Sequence, residues 1–153
     1  PGIVGLATAI DLAYQDLAAK NARITTLRDY LIDRIFERIP YCRLNGHRQQ
    51  RLANNVNFSF DFVEGESLLL LLDIEGIAAS SGSACTSGSL DPSHVLLALG
   101  LPHEQAHGSI RFTLGEDNTQ EELDLVLAKL PAFVERMRAM SPLYEDFLQK
   151  NSQ

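Results

Sequence analysis

One thiol stands out for what surrounds it. Cys85 sits in Ser80-Ser81-Gly82-Ser83-Ala84-Cys85-Thr86-Ser87-Gly88-Ser89, a run of small and polar residues. A structural cysteine behaves as a small hydrophobe among other hydrophobes. Cys85 has no large apolar neighbour within four positions on either side. Gly82 and Gly88 relax the backbone, and the serines bond locally to the chain, which favours a loop. An exposed sulfur on such a loop suits a nucleophile that must travel to its substrate. It suits an inert surface thiol in a linker equally well, and the segment by itself leaves both readings open.

Other residues whose types could do chemistry are weaker. Arg111 stands in Ser109-Ile110-Arg111-Phe112-Thr113-Leu114. An arginine in an amphipathic strand is ordinarily a surface residue or half of an ion pair, yet its planar guanidinium fork can also grip a carboxylate with two bonds. His103 and His107 are four apart, a spacing that metal ligands use on a helix, but no further ligand stands in a recognised pattern and Glu104 does not complete HExxH. They read as surface or capping histidines. The Ser/Gly loop lacks the lysine and spacing of a phosphate cradle. Cys42, between Tyr41 and Arg43, reads as a packing cysteine.

Three motifs change the weighting. Val63-Glu64-Gly65-Glu66-Ser67, Ser80 to Leu96 (SSGSACTSGSLDPSHVL) and His107 to Gly115 (HGSIRFTLG) occur in an order and spacing that closely resembles the C-terminal part of NifS-type cysteine desulfurases. These are pyridoxal-phosphate enzymes of the class V aminotransferase family, with fold type I. The resemblance implies that Cys85 is the catalytic residue, attacking the sulfur of substrate L-cysteine and keeping it as a persulfide. It also implies that Arg111 binds the substrate carboxylate. The products would be L-alanine and a persulfide passed to an iron–sulfur scaffold or another acceptor, and the intact enzyme would be a homodimer.

The same resemblance exposes two departures. Glu116 follows the Leu114-Gly115 pair where the family pattern has an arginine. The family's cofactor lysine lies in a histidine–lysine segment of a large domain, whereas this chain has only Lys20, Lys129 and Lys150, none in such a context. No cofactor-binding residue is assigned in the chain. The expectation is a single C-terminal small domain over 1–153, with a connecting helix region at 1–39 and a sheet-and-helix body at 40–153. The large domain would be absent and the piece alone inactive. A chain starting at Pro1 fits that expectation. The alternatives are a non-enzymatic persulfide relay or interaction domain, and a selenocysteine lyase-like enzyme.

The elements that must position these residues follow from periodicity. Ile3, Leu6, Ile10, Tyr14 and Leu17, then Ile24, Leu27, Leu31, Ile35 and Ile39, recur at helical spacing, predicting one long helix or two joined near Asn21. Short strands are expected at Tyr41–Leu44, across Val56, Phe58 and Phe60, at Ile77–Ala79 leading into the thiol loop, and at Ser109–Leu114. Helices are expected over the Leu68–Leu72 run, from Asp91-Pro92 to Gly100, and from the Thr119/Glu122 capping box to Met140 with a kink at Pro131. A last one starts at Ser141-Pro142. This mixture implies an α/β (α+β two-layer) fold, a small sheet with helices mainly on one face.

Composition bounds the rest. At 153 residues the chain is one domain, long enough to bury roughly 68–70% of its unfolded surface. Hydrophobic residues make up 45% and charged ones 22%, an ordinary soluble balance. The net charge of −7, with no Lys/Arg cluster, argues against nucleic-acid binding. No apolar run approaches a membrane span, and two cysteines make no disulfide framework. The expectation is a cytoplasmic protein without metal or membrane.

Overall fold

The computed structural model describes residues 1–81 and 92–151. It opens with helices α1 (Gly2–Tyr14) and α2 (Leu17–Arg38). Their joint lies at Gln15 and Asp16, earlier than the Asn21 region expected from the apolar pattern. Asp16 turns the chain at φ 54°, a left-handed conformation that Asp tolerates because its short side chain bonds locally. The two helices differ in what they bury. α1 buries nothing, and its apolar Ile3, Leu6, Ile10 and Tyr14 are exposed. α2 buries Ile24, Leu31, Ile32 and Ile35.

Strands β1 (Cys42–Leu44), β2 (Asn55–Phe60), β3 (Ser80–Ser81) and β4 (Ser109–Thr113) form one antiparallel sheet in the order β1-β2-β4-β3. The two-residue period of a strand divides their side chains between two faces. Val56, Phe58 and Phe60 of β2 share one face with Ile110 and Phe112 of β4, and all are buried. Helices α2, α3 (Gly65–Ile74) and α6 (Gln120–Ala139) cover that face with Leu31, Ile35, Leu68, Leu72, Leu127 and Leu130. Each fully buried side chain of this kind contributes roughly 1.5–3 kcal/mol. This one face therefore supplies most of the stability, leaving the other free to carry polar groups. The sheet with helices mainly on one face is as the sequence predicts.

Two boundaries differ from expectation. α3 ends with Gly76 at φ 74°, where Gly76 N–H bonds Asp73 O at 2.9 Å and Ile77 N–H bonds Leu72 O at 2.9 Å. This is a Schellman closure, with Ile77 packed back into the core. The N–H of Ile77 is thereby consumed, and the strand expected at Ile77–Ala79 forms instead at Ser80–Ser81. The helix expected from Asp91-Pro92 is shorter: α4 spans His94–Ala98 after Ser93, while Asp91 lies outside the described residues. Its end closes the same way, with Gly100 at φ 83° and Leu101 N–H on Leu96 O at 3.2 Å. A further short helix, α5 (His103–His107), precedes β4.

The Thr119/Glu122 capping box is present at the start of α6. The helix runs through Pro131, which deprives the carbonyl of Leu127 of its usual donor. Arg38 Nη1 donates to that carbonyl at 3.0 Å, tying α2 to α6. α7 (Pro142–Asn151) follows. It is fastened through Arg138, which is 4% exposed. Its Nε donates to Asp61 O at 3.0 Å and its Nη2 to Tyr41 O at 2.8 Å. The guanidinium lies over the rings of Tyr41 and Tyr144, 5.7 and 5.8 Å from their centroids.

Candidate functional site

The VEGES and HGSIRF segments meet backbone to backbone. A Cβ on Gly65 would stand 2.5 Å from His107 O, and one on Gly108 would stand 2.5 Å from Phe60 O and 2.8 Å from Val63 O. Only glycine fits at either place, because no side chain can yield when the obstacle is backbone. Glu64 caps α3, its carboxylate accepting from Glu66 N–H at 2.9 Å and Ser67 N–H at 2.7 Å. Burial alone would raise its pKa. The bonds from the Ser67 hydroxyl and the two backbone N–H groups, with the nearby His107, outweigh that and lower it. The two motifs thus form one rigid seam at the start of β4.

That seam delivers Arg111 to the sheet face opposite the core. Antiparallel register places Asn57 directly across from Arg111 on one side and Ser80 on the other. Asn45, just past β1, adjoins Asn57 and donates its N–H to Asn57 O at 2.8 Å. Asn45, Asn57, Arg111 and Ser80 therefore form a row across all four strands. A cavity of about 210 Å³ lies along it, lined by Asn45, Asn55, Asn57 and Arg111 from the sheet and by Ser93 and Leu96 among others from the α4 side. Arg111 Nε is buried and, among the described residues, has no hydrogen-bond partner. A guanidinium beside a cavity lined by three asparagines and Ser93 together with Val95, Leu96 and Leu99, with an N–H unmet among the described residues, could accept a partner such as a carboxylate.

Cys85, the other residue singled out by sequence, lies outside the described residues. The segments flanking it are both placed. The described chain stops at Ser81, next to Arg111's partner Ser80, and resumes at Pro92 and Ser93, and Ser93 lines the cavity. Cys42 is half-buried and donates its thiol to Ile39 O at 3.0 Å. Burial pushes that thiol up to about 11, against the pull of Arg138 and with Asp61 adding to the rise. It is a packing thiol.

The remaining candidates do not join Arg111. His103 and His107 sit at the two ends of α5, both exposed. Among the described residues, no group of three or more His, Cys, Asp and Glu is placed to hold a metal ion. Glu116 pairs with Lys20 at 2.9 Å, and Arg23 donates to the Glu116 and Asn118 carbonyls, so α2 supplies cations to match that departure. Lys129 pairs with Glu75 at 2.9 Å and Lys150 is exposed on α7. None of the three lysines lines the cavity beside Arg111. The residues present do not fit a lysine-anchored cofactor.

Sequence reasoning missed the polar row. Asn57 and Ser59 read as the polar side of a half-buried strand, yet Ser59 is 1% exposed, and Asn45 beside it 3%. The available signal was the asparagines themselves, which strands disfavour.

The family model described as aminotransferase class-V matches residues 1–126, and the chain belongs to that family. It is 53% identical over 154 residues to cysteine desulfurase IscS of Clostridium botulinum, covering 99% of this chain and 39% of that protein. To cysteine desulfurase IscS of Methanosarcina thermophila it is 55% identical over 143 residues, covering 94% of this chain and 35% of that one. A solved structure described as a NifS-like protein superposes with a TM-score of 0.74 at 30% identity, covering 88% of this chain and 33% of that one. The chain spans about two fifths of the length of the curated relatives it matches. Among the described residues, no helix is long and apolar enough to cross a membrane.

Proposed function

We infer that the chain is the C-terminal small domain of a pyridoxal-phosphate-dependent cysteine desulfurase, with residues 1–39 as its connecting region and 40–153 as its body. The whole enzyme converts L-cysteine to L-alanine and leaves the sulfur as a persulfide on Cys85. An iron–sulfur scaffold is the acceptor class, and the intact enzyme works as a cytoplasmic homodimer. The cofactor is held by residues outside this chain, since Lys20, Lys129 and Lys150 are placed elsewhere. The chain's own contribution is the substrate grip and the sulfur acceptor. In balance, the thiol of Cys85 and the substrate thiol become a persulfide, and the substrate Cβ gains a hydrogen to give alanine.

The observation that carries this reading is Arg111. Its Nε is buried and without a hydrogen-bond partner among the described residues, Arg111 lines a cavity shared with three asparagines and Ser93, and the described chain on either side of the Cys85 segment ends beside Arg111 and that cavity. A substrate held by its carboxylate at Arg111 would be within the neighbourhood that the Cys85 segment serves. The test is made on the pyridoxal-phosphate holoenzyme that carries this chain. Cys85→Ala abolishes sulfide and alanine production while cofactor absorbance is retained. Arg111→Lys replaces a two-pronged grip by a point charge. Losing hydrogen bonds to a charged group costs about 1.5–3 kcal/mol, a tenfold or greater fall in kcat/KM. Parental turnover in Cys85→Ala would overturn the sulfur-acceptor role, and an unchanged kcat/KM in Arg111→Lys would return that residue to structure.

A further inference from the structure

The polar face beside Arg111 holds more order than stability asks of it. Asn45 is fixed at four points. Its N–H donates to Asn57 O at 2.8 Å and its carbonyl accepts from Arg51 Nη2 at 2.5 Å. Its side-chain Nδ2 donates to Asn57 Oδ1 at 2.6 Å and to Ser59 Oγ at 2.9 Å. The cost of this arrangement is visible, because Asn45 Oδ1 is buried with no hydrogen-bond partner among the described residues. Buried amides are destabilising unless fully paired, and asparagine is a poor strand residue. Apolar side chains on the same face would give a more stable sheet. What the asparagines do instead is fix the orientation of Asn57, whose Oδ1 is engaged by Asn45 and which stands directly opposite Arg111 in the antiparallel register. Asn45, Asn57 and Arg111 all line the one cavity.

We propose that Asn57, held in place by Asn45, which is itself bonded to Ser59, is a positioning residue for Arg111 and sets how tightly the site selects a carboxylate. The physical need is specific. A guanidinium binds a carboxylate with two bonds only when its plane is fixed, and a long side chain on a strand is otherwise free to rotate. Arg111 has its cross-strand neighbours for this task, namely Ser80, a small residue on a two-residue edge strand, and Asn57. Of these, Asn57 is the one anchored through side-chain bonds to a buried partner. Loss of the amide therefore weakens substrate capture without touching the reacting sulfur. This inference rests on the carboxylate role of Arg111, and the test separates the two.

The experiment is a double-mutant cycle in the pyridoxal-phosphate holoenzyme, with L-cysteine as substrate and the melting temperature of each variant recorded alongside. Asn57→Ala raises KM about tenfold and leaves kcat within twofold. Asn57→Ser keeps an acceptor for Asn45 and restores most of the parental KM. In an Arg111→Ala background, Asn57→Ala adds no further rise, because the group it positions is gone. If Asn57→Ala does not fold at the assay temperature, Asn57→Asp in the parental and Arg111→Ala backgrounds carries the same cycle, with Asn57→Ser as the near-parental control, and coupling between the sites is again the expected result. An unchanged KM in Asn57→Ala beside a raised KM in Arg111→Ala overturns the positioning role alone. Penalties that simply multiply overturn it too. A parental KM in Arg111→Ala overturns the carboxylate reading and this inference together.

Discussion

Adding one methyl group at Gly108 tests whether the seam between the two motifs is as tight as its geometry. The new Cβ would lie 2.5 Å from Phe60 O and 2.8 Å from Val63 O, where ordinary contact requires about 3.4 Å or more. Neither oxygen can turn aside, because both belong to the main chain. Phe60 is further pinned by donating its N–H to the Gly108 carbonyl at 3.0 Å, and its ring is fully buried. Overpacking costs about 1–3 kcal/mol where neighbours relax. With two backbone oxygens in the way, the upper end, about 3 kcal/mol, is the appropriate figure. At this chain length each kcal/mol moves the melting temperature by about 2–4 °C, so Gly108→Ala lowers it by about 6–12 °C. The assay is thermal unfolding followed by circular dichroism. Gly5→Ala on α1 is the control, since nothing lies within 4 Å of its added Cβ. Alanine there raises helix propensity by up to about 1 kcal/mol. A melting temperature in Gly108→Ala equal to that of the parent would refute the close-approach argument.

Two other outcomes follow from the same structure. Glu64→Ala removes the α3 cap and costs roughly 0.5–1 kcal/mol at neutral pH. Because the folded-state pKa of Glu64 is lowered, its contribution is present above the unfolded carboxylate range and is lost as pH falls through the folded value. Urea midpoints of parent and variant should therefore differ at pH 7 and draw together as pH falls below the ordinary carboxylate range, and a gap that stays constant through that fall would contradict the capping role. Cys42, with its thiol pushed up to about 11 by burial first of all, should resist a thiol reagent at pH 8 until denaturant is added. Rapid native labelling of both cysteines would be incompatible with that burial.

The sequence was most legible where one periodicity served one purpose. β2 and β4, the Thr119/Glu122 capping box and the one-sided sheet were all readable, because alternation and capping are local signals. Boundaries set by closure were not. The pattern of Ile77 suits a strand, and only the left-handed Gly76 beside it commits that N–H to α3 instead. The joint at Asp16 was hidden because a single left-handed residue barely disturbs an apolar helical pattern. The strand carrying Arg111 was legible from its alternation and motif. Its neighbours Asn45 and Asn57 were not, since twelve residues separate them and only strand register brings them together.

Core and site alternate along the same two strands, so the chain writes two messages on one tape. Identity can drift separately in each: Phe58 and Ile110 answer to packing, while Asn57 and Arg111 answer to the cavity. Length cannot. Inserting or deleting one residue in β2 or β4 would send every following side chain to the wrong face, exposing the core residues and burying the charged one in a single step. Point changes in this sheet are therefore local events for a lineage, whereas a change of reading length is lethal to folding and chemistry at once.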